Sequence, residues 1–355
     1  MSPVTVRRRL TAASTAEPGT AEPGTSGAGT AEPGTSGAGT SEIGVDVYER
    51  AAAAAGPRIV VLGGVHGDEV GGIVAAGRIA TGDWPLVRGS LVVVPVAHEA
   101  AHAADRRESP LDDGNLARSF PGDPAGTPTE RLARLLLDEV IAGADVLIDL
   151  HTSNPATDMP LFVGCLDDGS AHGDAAVRLA AGFGIDLVWT HPSLGPGRTL
   201  TVAAERGIPA LYVESPVGGV LDERYLTAYV DGVRSVLEAH GMLSAERVRP
   251  QPTTWLHGDG DVDGFTAAGV DGLFERAVAL LDEVRTGQPI GRILGGPGEI
   301  LEEVRAPATG LVTTLQRAAA VARGRPLVGV TPRRPTRLGV PTDEHLQHSN
   351  TRSTP

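Results

Sequence analysis

The sequence has 355 residues, of which 41% are hydrophobic and 21% are charged, a balance that suits one or two globular domains with a sizeable apolar core. The formal charge is −14 and every basic residue other than histidine is arginine, so no lysine-rich patch indicates binding to nucleic acid or to an anionic membrane. The single cysteine, Cys165, excludes an internal disulfide and a cysteine-rich zinc knuckle.

The N-terminus carries arginines in "MSPVTVRRRLTAAS", as an export signal does, but the apolar segment of such a signal is replaced by "TAEPGTAEPGT". No run of about 18 apolar residues is present, so the sequence predicts no membrane span. The presence of only one cysteine is also consistent with a reducing compartment, where disulfides are rare. We therefore expect a cytoplasmic protein.

Low-complexity sequence stands at both ends of the chain. Residues 16–40 repeat "AEPGT" and "AEPGTSGAGT" and contain nothing large enough to bury, so we predict a disordered leader over residues 1–41. Residues 331–355 have the same character and are predicted to form a disordered tail.

Between the ends, strand-like runs such as "RIVVLGG", "SLVVVPVA" and "DVLIDLH" alternate with helix-like runs. Near-continuous apolar strands between helices are typical of an α/β domain with a largely parallel sheet covered on both faces, which we predict over residues 42–250. The clearest helix begins at Thr129, where Leu132, Leu135, Leu136 and Val140 share one stripe. After about Pro250, short strands broken by glycine and proline predict a small β domain over residues 251–330.

The segment "HEAAH", residues 98–102, matches the H-E-x-x-H pattern of zinc peptidases. That pattern needs a helix, because two histidines four positions apart must share one face. The preceding "SLVVVPVA" is typical of a buried strand, and Pro95 stands where a helix carrying His98 would already be under way. We therefore do not expect this segment to hold a metal.

Two other predicted strands end in residues that bind metals. "RIVVLGG" runs directly into "VHGDE", which places His66 and Glu69 at the carboxyl end of a strand, where open α/β sheets form their sites. His151 ends "DVLIDLH" and would lie on the same rim. Catalytic zinc takes three protein ligands and leaves one position open for water, so we predict one zinc ion per chain on His66, Glu69 and His151, with Asp149 orienting His151.

Several motifs together resemble the succinylglutamate desuccinylase and aspartoacylase family, a branch of the zinc carboxypeptidase fold. They are "GGVHGDE", "DLHTS", "SPLDDGNLARSFPG", "GIPALYVES" and "GEILEEVRAPATGLV", which follow one another in matching order over residues 42–330. Within the family, the pattern around residue 115 is similar to that of deacetylases of N-acetylated diamino acids. After "VPVA" the family continues with an asparagine-proline turn, which implies a loop at "HEAAH".

The resemblance also implies roles for residues outside the metal site. Arg107 matches the arginine that polarises the scissile carbonyl, and Glu214 matches the general base. Arg118 and Asn115 match the segment of the family that binds the substrate. Within that segment, Arg118 matches the arginine that binds the substrate carboxylate. One position departs from the family, because Ala117 stands where an asparagine is usual and offers no side-chain hydrogen bond.

Two further patterns are set aside. "DGDVDG", residues 259–264, starts like a calcium loop, but its twelfth position is Val270 and not a glutamate, so we interpret it as a polar turn. His191 and Arg198 lie in "WTHPSLGPGRT", a loop that could line a pocket, although we expect it to be solvated.

The sequence thus predicts a zinc-dependent amidohydrolase acting on a small N-acyl amino acid or related amine, with homo-oligomerisation left open. Three alternatives remain at this point. They are a metallocarboxypeptidase acting on peptides or cell-wall fragments, a zinc peptidase built on His98, and a non-catalytic binding protein with a pocket altered at Ala117.

Overall fold

Nine strands form one mixed sheet in the computed structural model, which describes residues 5–12, 43–216, 218–244, 251–258 and 265–333. In their order across the sheet the strands are β1 (Thr5–Thr11), β2 (Gly44–Ala51), β4 (Ser90–Val94), β3 (Arg58–Gly63), β5 (Val146–Leu150), β9 (Ala210–Glu214), β7 (Phe162–Leu166), β8 (Leu187–His191) and β10 (Thr254–His257). The pairs β1–β2, β2–β4 and β7–β9 are antiparallel and the other neighbours are parallel. The predicted α/β fold is confirmed.

Helices cover both faces of this sheet. They are α1 (Val70–Thr81), α2 (Glu99–Ala103), α3 (Pro128–Leu136), α4 (Ala171–Ala181), α5 (Thr199–Ala204) and α6 (Glu223–Ala239), with a 3-10 turn at Leu116–Arg118 and a π-helical turn at Leu137–Ile141 that extends α3. Ile59 and Val61 of β3 pack in the core beneath α1, α4 and α6, whereas Val60 and Leu62 pack in the core beneath α3 and α5. Because successive side chains of a strand point to opposite faces, a strand between two helical layers is apolar at every position.

Helix α3 begins one residue before the predicted start at Thr129. Thr127 accepts a hydrogen bond from the backbone of Glu130, and the Glu130 side chain accepts one from the backbone of Thr127, so the first turn has a reciprocal cap. Of the predicted stripe, Leu132 and Leu136 are buried, as is Val140 in the following π-helical turn, and Leu135 is partly exposed.

Two smaller sheets form the β domain that the sequence predicts after the helices. One contains β11 (Thr266–Ala267), β13 (Glu283–Val284), β16 (Gly310–Gln316) and β18 (Pro326–Thr331), and the other contains β12 (Gly272–Arg276), β14 (Pro289–Leu294), β15 (Ile300–Arg305) and β17 (Ala320–Val321). A two-residue strand from the first half of the chain, β6 (Thr157–Asp158), also pairs with β16.

Two segments lie elsewhere than predicted. Residues Thr254–His257, assigned by the sequence to the small β domain, extend the large sheet by pairing with β8, since a short apolar run carries no information about which sheet it joins. Thr5–Thr11, assigned to the disordered leader, forms the edge strand β1. The repeat, the "DGDVDG" segment and the tail from residue 334 lie outside the described residues, so the predictions for them stand as predictions.

Among the helices of the described ranges, none has both the length and the apolar composition that crossing a bilayer requires.

A close approach between α1 and β5 sets the geometry of the strand ends. A side chain on Gly72 of α1 would place its Cβ 2.1 Å from the carbonyl oxygen of Leu150 and 2.8 Å from its carbonyl carbon. Only glycine permits such a contact between a helix and a strand backbone. The residues flanking the contact are Glu69, just before α1, and His151, just after β5, so Gly72 controls how close these two residues lie.

We predict that Gly72→Ala lowers the free energy of unfolding by on the order of 2–3 kcal/mol, because two backbone segments must separate to admit the methyl group. Gly77→Ala is the control in the same helix, since nothing lies within 4 Å of its added Cβ. That change should be neutral or stabilise by about 0.5–1 kcal/mol. Urea unfolding of the two variants and the wild type measures both effects; equal stability of all three would contradict the close approach.

Candidate active site

The three predicted metal ligands meet at one rim of the large sheet. His66 lies in the loop after β3, Glu69 immediately precedes α1, and His151 immediately follows β5. Strands β3 and β5 are parallel neighbours with Gly63 opposite Leu150, so their carboxyl ends lie side by side. One nitrogen of each histidine and one oxygen of Glu69 all lie within 4.8 Å of one another. This cluster could hold a metal ion.

Glu69 is a buried carboxylate with partners from several segments. Its Oε1 accepts a hydrogen bond from Arg107 Nη1 at 2.9 Å, and its Oε2 lies 2.8 Å from His151 Nδ1 and accepts from the backbone N–H of Thr152 at 3.1 Å. Burial by itself would raise the pKa of Glu69, but the neighbouring His66, His151 and Arg107 lower that pKa to about 2. The carboxylate is therefore charged at neutral pH.

The two histidines have different electrostatic surroundings. Burial lowers the pKa of His66 to about 3, so this imidazole is neutral at physiological pH, which is the form that coordinates metals. Burial alone would also lower the pKa of His151, but Asp149 and Glu69 raise it well above the ordinary value. Asp149 Oδ2 lies 3.1 Å from His151 Nε2, and Glu69 lies on the opposite side of the ring.

These surroundings fit a bound cation. Two carboxylates on either side of His151 favour a positive charge between them, which a proton or a bound divalent metal would supply. A carboxylate on the outer nitrogen of a ligating histidine is the usual support of such a ligand, and Asp149 occupies that place. Two histidines and one glutamate match a zinc site with one open position.

One cavity joins the candidate metal site to most of the other predicted functional residues. Its wall includes Arg107, Arg118 and Glu214 as well as the three candidate ligands. Glu214 is the last residue of β9, which lies next to β5, so its side chain lies on the same rim of the sheet as His151.

Asn115, which the resemblance assigned to substrate binding, does not line this cavity. Its side-chain oxygen accepts a hydrogen bond from the backbone of Ala117 at 3.0 Å, and its carbonyl oxygen accepts one from the hydroxyl of Ser119 at 2.8 Å. Asn115 therefore caps the 3-10 turn that carries Arg118. The assignment of Asn115 to substrate binding stays a prediction, while Ala117 itself does line the cavity.

The "HEAAH" segment is helical and not a loop, since Glu99–Ala103 forms the short helix α2. It nevertheless contributes nothing to the candidate metal cluster. His102 Nδ1 lies 3.0 Å from the carbonyl oxygen of Gly67, Glu99 forms an ion pair with Arg9 of β1, and burial lowers the pKa of His98 to about 4. The resemblance predicted the wrong local structure for this segment.

His191, Arg198 and Tyr212 also line the cavity. The sequence offered His191 and Arg198 only as an alternative to a solvated loop, and it gave no indication of Tyr212. His191 is the last residue of β8, is 1% exposed, and its Nε2 lies 2.8 Å from the Tyr212 hydroxyl oxygen. The prediction of a solvated loop was wrong for His191. The apolar run "LVWT" directly before it was a signal that could have placed it at the end of a strand.

Comparison with known proteins agrees with this geometry. Residues 55–240 match the model of the succinylglutamate desuccinylase/aspartoacylase catalytic domain. The chain belongs to the succinylglutamate desuccinylase/aspartoacylase family. As a member of this family it is a deacylase, a hydrolase of amide bonds, as the sequence predicted.

One curated relative in this family is an N-alpha-acetyl-L-2,4-diaminobutyric acid deacetylase of Halomonas elongata, which is 32% identical over 279 residues covering 76% of this chain and 80% of the relative. A succinylglutamate desuccinylase of a Silicibacter species superposes with a TM-score of 0.75 at 27% identity, over 82% of this chain and 90% of that one. The product-bound ectoine utilization protein EutE (DoeB) of Ruegeria pomeroyi has a TM-score of 0.75 at 28% identity, with the same coverage.

The placement of the ligands predicts which histidine controls metal content. His66→Ala should remove bound metal almost completely, because a three-ligand site keeps little affinity with two ligands. His98→Ala is the matched control, since His98 is buried nearby but lies outside the cluster. Elemental analysis after dialysis against trace zinc measures the effect. Metal loss from His98→Ala with retention in His66→Ala would restore the zinc peptidase alternative.

Proposed function

We propose that this protein is a zinc-dependent enzyme that removes the acyl group from a small N-acyl amino acid. The observation that carries the proposal is the shared cavity, in which the His66, Glu69 and His151 cluster adjoins a carboxylate at Glu214 and guanidinium groups at Arg107 and Arg118. A relative that deacetylates N-alpha-acetyl-L-2,4-diaminobutyric acid supports an N-acetylated diamino acid as the first substrate to test.

Zinc held by the three ligands would act as a Lewis acid on the scissile carbonyl and lower the pKa of the attacking water. We assign Glu214 as the general base, which accepts a proton from the attacking water and returns it to the leaving nitrogen. The water oxygen then joins the acyl carbon as the carbon–nitrogen bond breaks, so the products are a carboxylic acid and a free amine.

Arg107 is assigned to the developing oxyanion. Its Nη1 donates to Glu69 Oε1 at 2.9 Å, which fixes the guanidinium at the edge of the candidate metal site before any substrate binds. A guanidinium held in place stabilises new negative charge without having to reorganise.

Arg118 is assigned to the carboxylate of the substrate. The 3-10 turn that carries it is capped by Asn115 and packs against Gly197, whose added Cβ would lie 2.2 Å from the Arg118 carbonyl oxygen. Gly197 also has a φ of +77°, a conformation that favours glycine. Since Ala117 supplies no side-chain hydrogen bond, a planar guanidinium that can make two parallel bonds carries more of the recognition.

We also propose that the enzyme acts in the cytoplasm. Cys165 is a free, buried thiol, which agrees with a reducing compartment. The proposed partner is the small N-acyl substrate.

A panel of N-acetyl, N-succinyl and peptide substrates tests the function. Release of free amino acid from an N-acetylated diamino acid, at a rate that falls when the metal is chelated and recovers when zinc is added, is the expected result. Release of C-terminal residues from peptides, with no N-acyl hydrolysis, would instead show a carboxypeptidase. A metal-loaded protein that is inert on the whole panel would show a binding protein.

We predict that Glu214→Gln lowers kcat by about 10²–10⁴-fold, because the amide cannot accept the proton of the attacking water. Bound metal should remain, since Glu214 is not part of the candidate metal cluster. Steady-state kinetics together with elemental analysis give the two readings. A Glu214→Gln enzyme with normal kcat would remove this assignment.

Arg118→Ala should raise KM for an N-acetyl amino acid by about 10-fold or more, because a charged hydrogen-bonded pair between the guanidinium and the substrate carboxylate is lost. KM for the corresponding carboxamide should change much less. Arg106→Ala is the control, because this arginine pairs with the exposed Asp113 at 3.0 Å and is not among the residues that line the cavity. Comparison of both substrates with both variants separates carboxylate recognition from general damage. An equal rise in KM for acid and carboxamide would contradict the role.

A further inference from the structure

Residues 152–159, here named the wall segment, run from the candidate metal site to the small β domain. Thr152, Ser153, Asn154 and Met159 of this segment line the active-site cavity. Thr157 and Asp158 form β6, which pairs with β16 of the small β domain through Leu315 opposite Asp158 and Gln316 opposite Thr157. One short segment therefore belongs to the cavity wall and to the second domain at once.

The end of the wall segment next to the metal site is held by the large α/β domain. The Ser153 hydroxyl lies 2.7 Å from the carbonyl oxygen of Thr157 and 2.9 Å from that of Pro216, and it accepts a hydrogen bond from the backbone of Gly218 at 3.2 Å. The Ser153 backbone N–H donates to the Ser215 carbonyl oxygen at 3.1 Å. These bonds tie the beginning of the segment to the loop after β9.

The far end of the segment is held by Arg317 of the small β domain. The backbone N–H of Arg317 donates to the carbonyl oxygen of Ala156 at 3.0 Å, and its Nη1 donates to that of Pro155 at 3.3 Å. Its Nε lies 3.3 Å from Asp158 Oδ1. A single arginine thus contacts three residues of the wall segment.

A second arginine of the same domain adds to this contact. Arg276, the last residue of β12, has its Nη1 3.6 Å from Asp158 Oδ2. Asp158 therefore lies between two guanidinium groups that come from different sheets of the small β domain. Its side chain is 21% exposed, against 37% for Arg317 and 52% for Arg276, so the acid is the most shielded member of the cluster.

We propose that Arg317 and Asp158 are positioning residues for the substrate pocket, through which the small β domain holds the wall segment against the cavity and sets the affinity for substrate. The inference rests on the proposed deacylase function only for its kinetic readout. Neither residue lines the cavity, so both act through Ser153, Asn154 and Met159, which do. Small displacements of residues that position a substrate are enough to change binding and rate.

The kinetic experiment uses the full-length, metal-loaded enzyme and an N-acetylated diamino acid. Arg317→Ala should raise KM by about fivefold and leave kcat within about twofold of the wild-type value. The effect on KM is modest because the ion pairs are partly exposed, and kcat is nearly unchanged because Arg317 affects binding and not the reacting atoms. Arg292→Ala is the matched control. Arg292 is a similarly exposed arginine of the same domain, but it pairs with Glu275 within that domain, so both constants should stay unchanged.

A double-mutant cycle separates positioning from general structural damage. Asp158→Ala and Arg317→Ala should each raise KM, and the double variant should raise KM by less than the product of the two single effects, because both variants remove the Asp158–Arg317 ion pair. The effects should not coincide fully, since Asp158 also pairs with Arg276 and Arg317 also donates to Pro155. Strictly multiplicative effects would overturn the proposal.

Amide hydrogen exchange gives a reading that needs no substrate. In Arg317→Ala, peptides covering residues 152–159 should exchange faster than in the wild type, while peptides covering β3 and β5 should not change. If Arg317→Ala fails to fold, Arg317→Lys and Asp158→Asn replace it in both experiments. An unchanged exchange rate in the wall segment would overturn the positioning role. Faster exchange in a protein that does not hydrolyse N-acyl amino acids would support the positioning role and contradict only the proposed function.

Discussion

One buried carboxylate, Glu69, connects the segments from which the active site is built. It contacts His151 at the end of β5, Arg107 in the loop after α2, and the backbone at the start of the wall segment. A buried negative charge is tolerated only when it is paired and hydrogen-bonded, so these groups must converge on Glu69 for the fold to be stable. The same convergence places two imidazoles beside the carboxylate. The stability of this part of the fold and its capacity to bind a metal therefore have a common electrostatic origin.

Much of this site could be predicted because its residues stand at the ends of apolar strands. "RIVVLGG" before His66 and "DVLIDL" before His151 are recognisable as strands, and parallel strands bring their carboxyl ends together. Glu69 follows from its short distance along the chain from His66. The roles of Arg107, Arg118 and Glu214 came from family resemblance, and all three residues lie in one cavity with the candidate metal ligands.

Other parts could not be predicted, for physical reasons that differ from case to case. The sequence around Asn115 does not show whether its side chain contacts a substrate or caps a turn, because an amide can form the hydrogen bonds of either role. The short helix at Glu99–Ala103 forms although Pro95 precedes it, since the chain turns between them. Thr254–His257 joins the large sheet through long-range pairing with β8, which no local pattern encodes. His191 was assigned to a loop because glycine and proline follow it, although the strand before it ends only at His191.

The strand β1 has a consequence for how this protein can be handled. All seven of its residues pair with β2, Arg7 pairs with Asp46, and Arg9 pairs with Glu99 of the short helix α2. Without β1, the outer edge of β2 would present a row of unsatisfied amide and carbonyl groups to solvent, a surface on which strands of other molecules readily assemble. Removal of everything before residue 43 as dispensable sequence would therefore favour aggregation, even though every side chain proposed for catalysis would be retained.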